Sequence, residues 1–153
     1  MRAPFQVLVI PFRRTASTLK FAVLKRSDAD YWQFVAGGGE DGETPIQAAQ
    51  RETKEEVGIT GDLTQLDSLS TVPKDCFAAA DLWGENVYVI PEHCFAVHVG
   101  NEDIYLSPEH TELKWVSYEQ AGSLLKWDSN RNAIWELNQR LMKERNSEQG
   151  VGD

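Results

Sequence analysis

Residues 37–59, GGGEDGETPIQAAQRETKEEVGI, constrain this chain more than any other stretch, because they join helix start and stop signals to a cluster of carboxylates. Thr44 reads as an N-cap, Pro45 as a first-turn residue and Gln47 as a capping-box partner. Gly58 is a usual C-terminal stop, so a helix from Pro45 to about Val57 is expected. Ile46, Ala49, Thr53 and Val57 recur at three- and four-residue intervals and should face a core. Thr53 is tolerable there because its hydroxyl can bond a carbonyl one turn earlier. Glu52 and Glu56 fall four apart on another face, with Glu55 three from Glu52. Like charges at that spacing cost roughly 0.2–0.5 kcal/mol per pair, which Arg51 and Lys54 offset in part and a bound cation would offset further.

A short strand, Trp32 to Ala36, leads into Gly37, Gly38 and Gly39, where a turn is expected. Glycine there permits backbone angles closed to other residues and lets the chain pass close to a ligand. Gly37, Gly39 and Gly42 also satisfy GxGxxG spacing, with Asp62 about 20 residues further on. A dinucleotide-binding reading fails, because a hairpin precedes the glycines and only one such helix follows, without a repeated βαβ series.

Phe5 to Ile10 and Thr18 to Leu24 read as a strand pair, closed by Lys25 and Arg26. Leu63 to Val72, Asn86 to Gly100 with an interruption at Pro91, and Leu113 to Val116 are further strands. Tyr118 to Leu125 reads as a short helix and Ser129 to Glu144 as a longer one, with Ala133, Ile134, Leu137, Leu141 and Met142 facing the sheet. Pro73 to Glu85 is a loop whose Phe77 and Trp83 either stack on a ligand ring or pack on the domain. One domain over residues 1–145 is expected, with a disordered tail at 146–153.

The net charge of −9 over 153 residues disfavours a nucleic-acid footprint, which needs many Lys and Arg contacts. An acidic protein binds phosphates through divalent cations that bridge them to carboxylates. No apolar run is long enough for a membrane span, and the first residues carry no signal pattern, so a cytoplasmic location is expected. Cys76 and Cys94 lack metal or redox spacing and read as idle thiols.

The order Gly37, five residues, Glu43, seven residues, then Arg51-Glu52-Thr53-Lys54-Glu55-Glu56-Val57-Gly58-Ile59 resembles the Nudix box of the Nudix hydrolases. Its one departure is Thr53, where that family usually has an aliphatic residue. The resemblance implies an α/β/α sandwich with a mixed sheet and metal-dependent cleavage of a nucleotide-like triphosphate by water. It implies Mg²⁺ or Mn²⁺ held by Gly37, Glu52, Glu55, Glu56 and Glu109, with Glu109 as ligand or general base. Glu102 and Asp103 compete for that last role. Arg51, with planar donors suited to carboxylates, is expected to orient Glu52 or Glu43. His110 reads as a structural group beside the metal site, since Mg²⁺ prefers oxygen.

Within the family, Arg2, Arg26, Glu109-His110 with Trp115, and Trp127-Asp128-Ser129-Asn130-Arg131-Asn132-Ala133-Ile134 look like the bacterial dihydroneopterin triphosphate pyrophosphatases. That likeness implies substrate contacts by Arg2, Arg26 and Ser129, although Ser129 reads equally as a helix N-cap. The glycine stretch differs from those enzymes at Gly38-Gly39. Another nucleoside triphosphate, a dinucleoside polyphosphate, a catalytically silent nucleotide sensor and an isoprenoid diphosphate isomerase remain as alternatives. A sensor would be expected to lose box carboxylates, and no cysteine stands where an isomerase would use one. The oligomeric state is open.

Overall fold

The computed structural model describes residues 1–150. Strand β1 (Arg2–Arg14) runs parallel to β6 (Val89–His98) along one edge, and β6 pairs antiparallel with β5 (Leu63–Pro73). The other edge of β1 is shared. Its C-terminal end pairs with β2 (Leu19–Arg26), and its N-terminal half pairs with β4 (Val35–Glu40), both antiparallel. Strand β2 also holds β3 (Trp32–Gln33) and β7 (His110–Val116). The expected single strand from Trp32 to Ala36 is therefore two, because the chain leaves β2 and joins β1 at Phe34.

Both faces of this mixed sheet are covered, so its central strands are apolar on consecutive residues instead of alternating with polar ones. Val7, Val9, Leu24, Phe95 and Val97 pack under α1 (Pro45–Val57). Leu8, Ile10, Phe21, Val23 and Ala96 pack under α2 (Tyr118–Leu124) and α3 (Asp128–Gly150). The expected α/β/α layering follows from these two buried sets. No helix among the described residues is long and apolar enough to cross a membrane.

Helix α1 has the expected ends: the Thr44 hydroxyl accepts from Gln47 N, Gln47 caps Thr44 N in return, and Gly58 turns left-handed with φ 73°. The Thr53 hydroxyl donates to Ala49 O at 2.7 Å, as the sequence suggests. Ala49, Thr53 and Val57 are buried, whereas Ile46 is exposed and Ala48 takes an inward place. Met142 is likewise exposed. Pro91 does not break β6, since it lies beyond the stretch bonded to β1.

Two further expectations change. All three box glycines lie within β4, and none has a positive φ. Helix α3 also continues through residues 146–150, where a disordered tail was expected; residues 151–153 lie outside those described. The Arg14–Glu144 ion pair and bonds from Arg145 to the carbonyls of Thr15 and Thr18 tie this helix to the β1–β2 turn. Extending a nucleated helix then costs little.

The buried crossing at Phe34 depends on one distant side chain, since Phe34 N donates to Asn130 Oδ1 at 3.1 Å. Asn130→Ala strands that buried donor and should cost about 1–3 kcal/mol. Urea unfolding would show this as a lower midpoint with an unchanged slope, and an unshifted midpoint would refute it.

Candidate active site

Among the described residues, β4 pairs only with β1, which leaves its other edge free. Three side chains occupy that edge at alternate residues. Asn130 accepts from Phe34 N, Glu56 Oε2 accepts from Ala36 N at 3.1 Å, and Arg51 Nη2 donates to Gly38 O at 2.8 Å. Residues 34, 36 and 38 thus point outward, so the backbone groups of Gly37 face β1. This corrects the expected Gly37 carbonyl ligand: the carbonyl aimed off the edge beside Glu56 is that of Ala36.

Gly37 matters through space instead. A Cβ there would overlap the Glu52 carboxylate, one at Gly38 the Arg2 guanidinium and one at Gly39 the Phe5 ring. The glycines let side chains lie flat against a strand, which replaces the turn geometry expected of them.

Arg51 binds Glu43 with both arms of its fork, Nε to Oε2 at 2.8 Å and Nη2 to Oε1 at 3.0 Å. Its Nη1 donates to Glu52 at 2.8 Å and reaches Glu55 at 3.4 Å. Glu43 is held below its ordinary pKa by the Arg51 hydrogen bonds, and Arg51 is correspondingly raised. Arg51 is thus bonded to both of the carboxylates named for it in the sequence, Glu43 and Glu52.

Glu56 is 2% exposed, and its Oε1 has no hydrogen-bond partner. Burial, then the facing Glu109 carboxyl and the charge of Glu52, push its pKa up to about 9. Glu52 is also raised, chiefly by burial, with Arg51 opposing. Glu109 arrives on the loop before β7, which is pinned to α1 through Ser107 N to Glu56 O at 3.1 Å and to the turn after β2 through Ser27 N to Glu109 O at 2.8 Å. Glu102 instead lies by Gly100, with its carbonyl bound by Arg13. Among the described residues no three His, Cys, Asp or Glu side chains are gathered into a metal cluster. Arg51 holds Glu52 and Glu55, while Ala36 N holds Glu56.

The three expected substrate residues are dispersed around this edge. Arg26 is paired with both oxygens of Asp28, at 2.8 and 2.7 Å, near Glu109. Arg2 donates to the carbonyls of Ala3, Phe5 and Gly39 and to Gln6, and its guanidinium lies by the rings of Phe77 and Trp83. The 73–85 loop is accordingly two 3-10 turns latched to β1, with Trp83 Nε1 donating to Arg2 O. Ser129 lies inside the first turn of α3, so it is not the N-cap, and its hydroxyl faces Glu92. His110 is buried against Gln33, with its Nδ1 unpartnered.

Residues 4–137 match the NUDIX domain model. The chain belongs to the Nudix family. It is 34% identical over 137 residues to the dihydroneopterin triphosphate diphosphatase of Escherichia coli, covering 87% of this chain and 91% of that one. It is 29% identical over 127 residues to the mouse asymmetrical bis(5'-nucleosyl)-tetraphosphatase, covering 82% of each. A crystal structure from Listeria monocytogenes described as a Nudix hydrolase superposes with TM-score 0.84 at 47% identity, covering 94% of this chain and 97% of that one. The chain is thus a Nudix pyrophosphohydrolase acting on phosphoric anhydrides, on the α/β/α fold expected from its box.

Ala36, Asn130 and Glu92 have no role of their own legible in the sequence. The first acts through its backbone and the second depends on a contact across 96 residues. Only the burial of Glu92 was open to detection, because strand alternation puts it on the same face as Cys94 and Ala96.

Proposed function

We propose that this Nudix enzyme releases pyrophosphate from a nucleotide-like triphosphate in a reaction that depends on Mg²⁺ or Mn²⁺, with dihydroneopterin triphosphate as the preferred substrate. The observation that carries the metal dependence is the buried Glu56 oxygen without a partner, beside Glu52 and facing Glu109. An all-oxygen donor set suits these hard cations. The space at Gly37, which any side chain would take from Glu52, fits the same group.

In this reading Glu52, Glu56 and the Ala36 carbonyl would hold the cations, with Glu55 and Glu109 completing the set. When bound, Mg²⁺ or Mn²⁺ screens the phosphate oxygens and makes water a better nucleophile. Arg51 keeps Glu43 and Glu52 in place. Glu109, on the exposed side, is either a further ligand or the base that takes the proton from the attacking water. The new P–O bond forms to that water as the anhydride P–O bond breaks, and pyrophosphate leaves. The likeness to the E. coli diphosphatase supports the pterin substrate, and the likeness to the mouse enzyme keeps dinucleoside polyphosphates as the second reading. A cytoplasmic location fits two free cysteines, one of them exposed.

The test is hydrolysis of a panel of pterin triphosphates, nucleoside triphosphates and dinucleoside polyphosphates, with Mg²⁺, Mn²⁺ or chelator. Pyrophosphate release fastest from the pterin compound, and abolished by chelator, is expected. Faster cleavage of a dinucleoside polyphosphate would select the second reading. Tight binding without turnover of any compound would make the domain a sensor.

A further inference from the structure

A buried carboxylate stands outside the metal-facing group. Glu92 is 7% exposed, and its Oε1 has no hydrogen-bond partner. Sheet register fixes its surroundings. Gln6 of β1 is the partner of Gly38 in β4 and of Glu92 in β6, so Gly38, Gln6 and Glu92 form one row across three strands. Gln6 and Glu92 share the face of Leu8 and Cys94, the one covered by α3. At one end of the row the Arg2 guanidinium fills the place of a Gly38 side chain and binds Gln6. At the other end the Ser129 hydroxyl, in the first turn of α3, faces Glu92.

This row begins at the reaction edge, since the Gly38 carbonyl is the one bound by Arg51. Two strand spacings of about 4.7–4.9 Å set Glu92 roughly 10 Å from Gly38. A triphosphate held at the outer edge of β4 would reach with its heterocycle past the Arg2 guanidinium that covers Gly38, toward the Glu92 end of the row. A buried carboxylate oxygen left without a donor, as Glu92 Oε1 is, is costly, and two parallel N–H groups are the best complement of a carboxylate.

Resting on the pyrophosphohydrolase reading, we propose that Glu92 is the specificity-determining residue of the substrate's ring. It accepts hydrogen bonds from a ring N–H and the adjacent exocyclic amine of a pterin- or guanine-type heterocycle, with Ser129 beside it. Adenine, which presents a ring acceptor where these rings present N–H, is disfavoured.

Two measurements test this. Metal-free protein is titrated with 6-hydroxymethylpterin by fluorescence, and metal-loaded protein is assayed on guanosine triphosphate against inosine triphosphate, which lacks the exocyclic amine. Wild type should bind the pterin and prefer the guanosine compound at least about tenfold in kcat/KM, as sites built to bond a polar group reject analogues without it. Glu92→Gln should weaken pterin binding about tenfold or more and abolish the preference for the guanosine compound, chiefly through KM. Ser129→Ala should give a smaller shift in the same direction. Equal pterin binding by wild type and Glu92→Gln, or a guanosine preference that survives the substitution, would overturn the proposal. A lowered melting temperature with discrimination intact would make Glu92 a structural residue and overturn it equally. Failure of the pyrophosphohydrolase reading would look different, as wild type would then release no pyrophosphate from any triphosphate.

Discussion

Glu56→Gln should lower metal-dependent pyrophosphate release by about 10²–10³-fold, the scale at which removing one group that stabilises transition-state charge is felt. The amide keeps the shape of the side chain and can still accept from Ala36 N, so the fold should survive. The substitution also separates the chemical role of this residue from its cost. With a folded pKa of about 9 against an ordinary 4.5, the folded chain holds the Glu56 proton more tightly than the unfolded chain does. Its contribution to stability is therefore complete below about pH 4.5 and is lost as pH rises through about 9. Metal-free wild type should melt at falling temperatures between pH 5 and pH 9, and the Gln variant, with no proton to lose, should show a flatter profile. Added Mn²⁺ should raise the melting temperature of wild type most at high pH and that of the variant far less. Superimposable metal-free profiles would mean that Glu56 ionises freely and that its burial carries no energetic consequence.

Gly37→Ala is the second large effect, and it should act on activity more than on folding. A methyl group at this position collides with the carboxylate of Glu52. Moving that flexible side chain aside disturbs its 2.8 Å bond to Arg51. Displacement of a reacting group by about 1 Å can cost roughly 10²-fold in rate, so a loss of that order in kcat/KM is expected. The strain of overpacking, about 1–3 kcal/mol, is countered in part by the reduced entropy of the unfolded chain, worth about 0.4–1 kcal/mol. Gly42→Ala makes the contrast. It meets no atom within 4 Å but sits at φ 85°, so it should lose stability while the carboxylates stay in place. Activity of Gly37→Ala within twofold of wild type would show that Glu52 does not need its present position.

These two glycines also show what a sequence can convey. The ends of α1 were legible because Thr44, Pro45, Gln47 and Gly58 signal through neighbours within a few residues, whereas the layering of the sheet came from the family resemblance. Glu52 and Glu56 were singled out by the register of the whole box, with Gly37, Glu43, Arg51 and Gly58, and by the family resemblance it carries. Gly37 to Gly39 were misread because glycine is needed for either angle or space, and the side chains that claim the space come from Arg2, Phe5 and Glu52. Ser129 failed as an N-cap because the helix starts one residue earlier. The polar end of α3 looked destined for solvent, since its anchors to Thr15 and Thr18 are far off in the chain.

The free edge of β4 has one more consequence. Asn130, Glu56 and Arg51 grip it at residues 34, 36 and 38, and they belong to helices on opposite faces of the sheet. A slip of one residue would turn every gripped group inward and break all three bonds together. The strand therefore behaves as a fixed rule laid between two clamps. On the proposed function, such a rule would set the distance from the anhydride to the substrate's ring, and with it the linker length that fits.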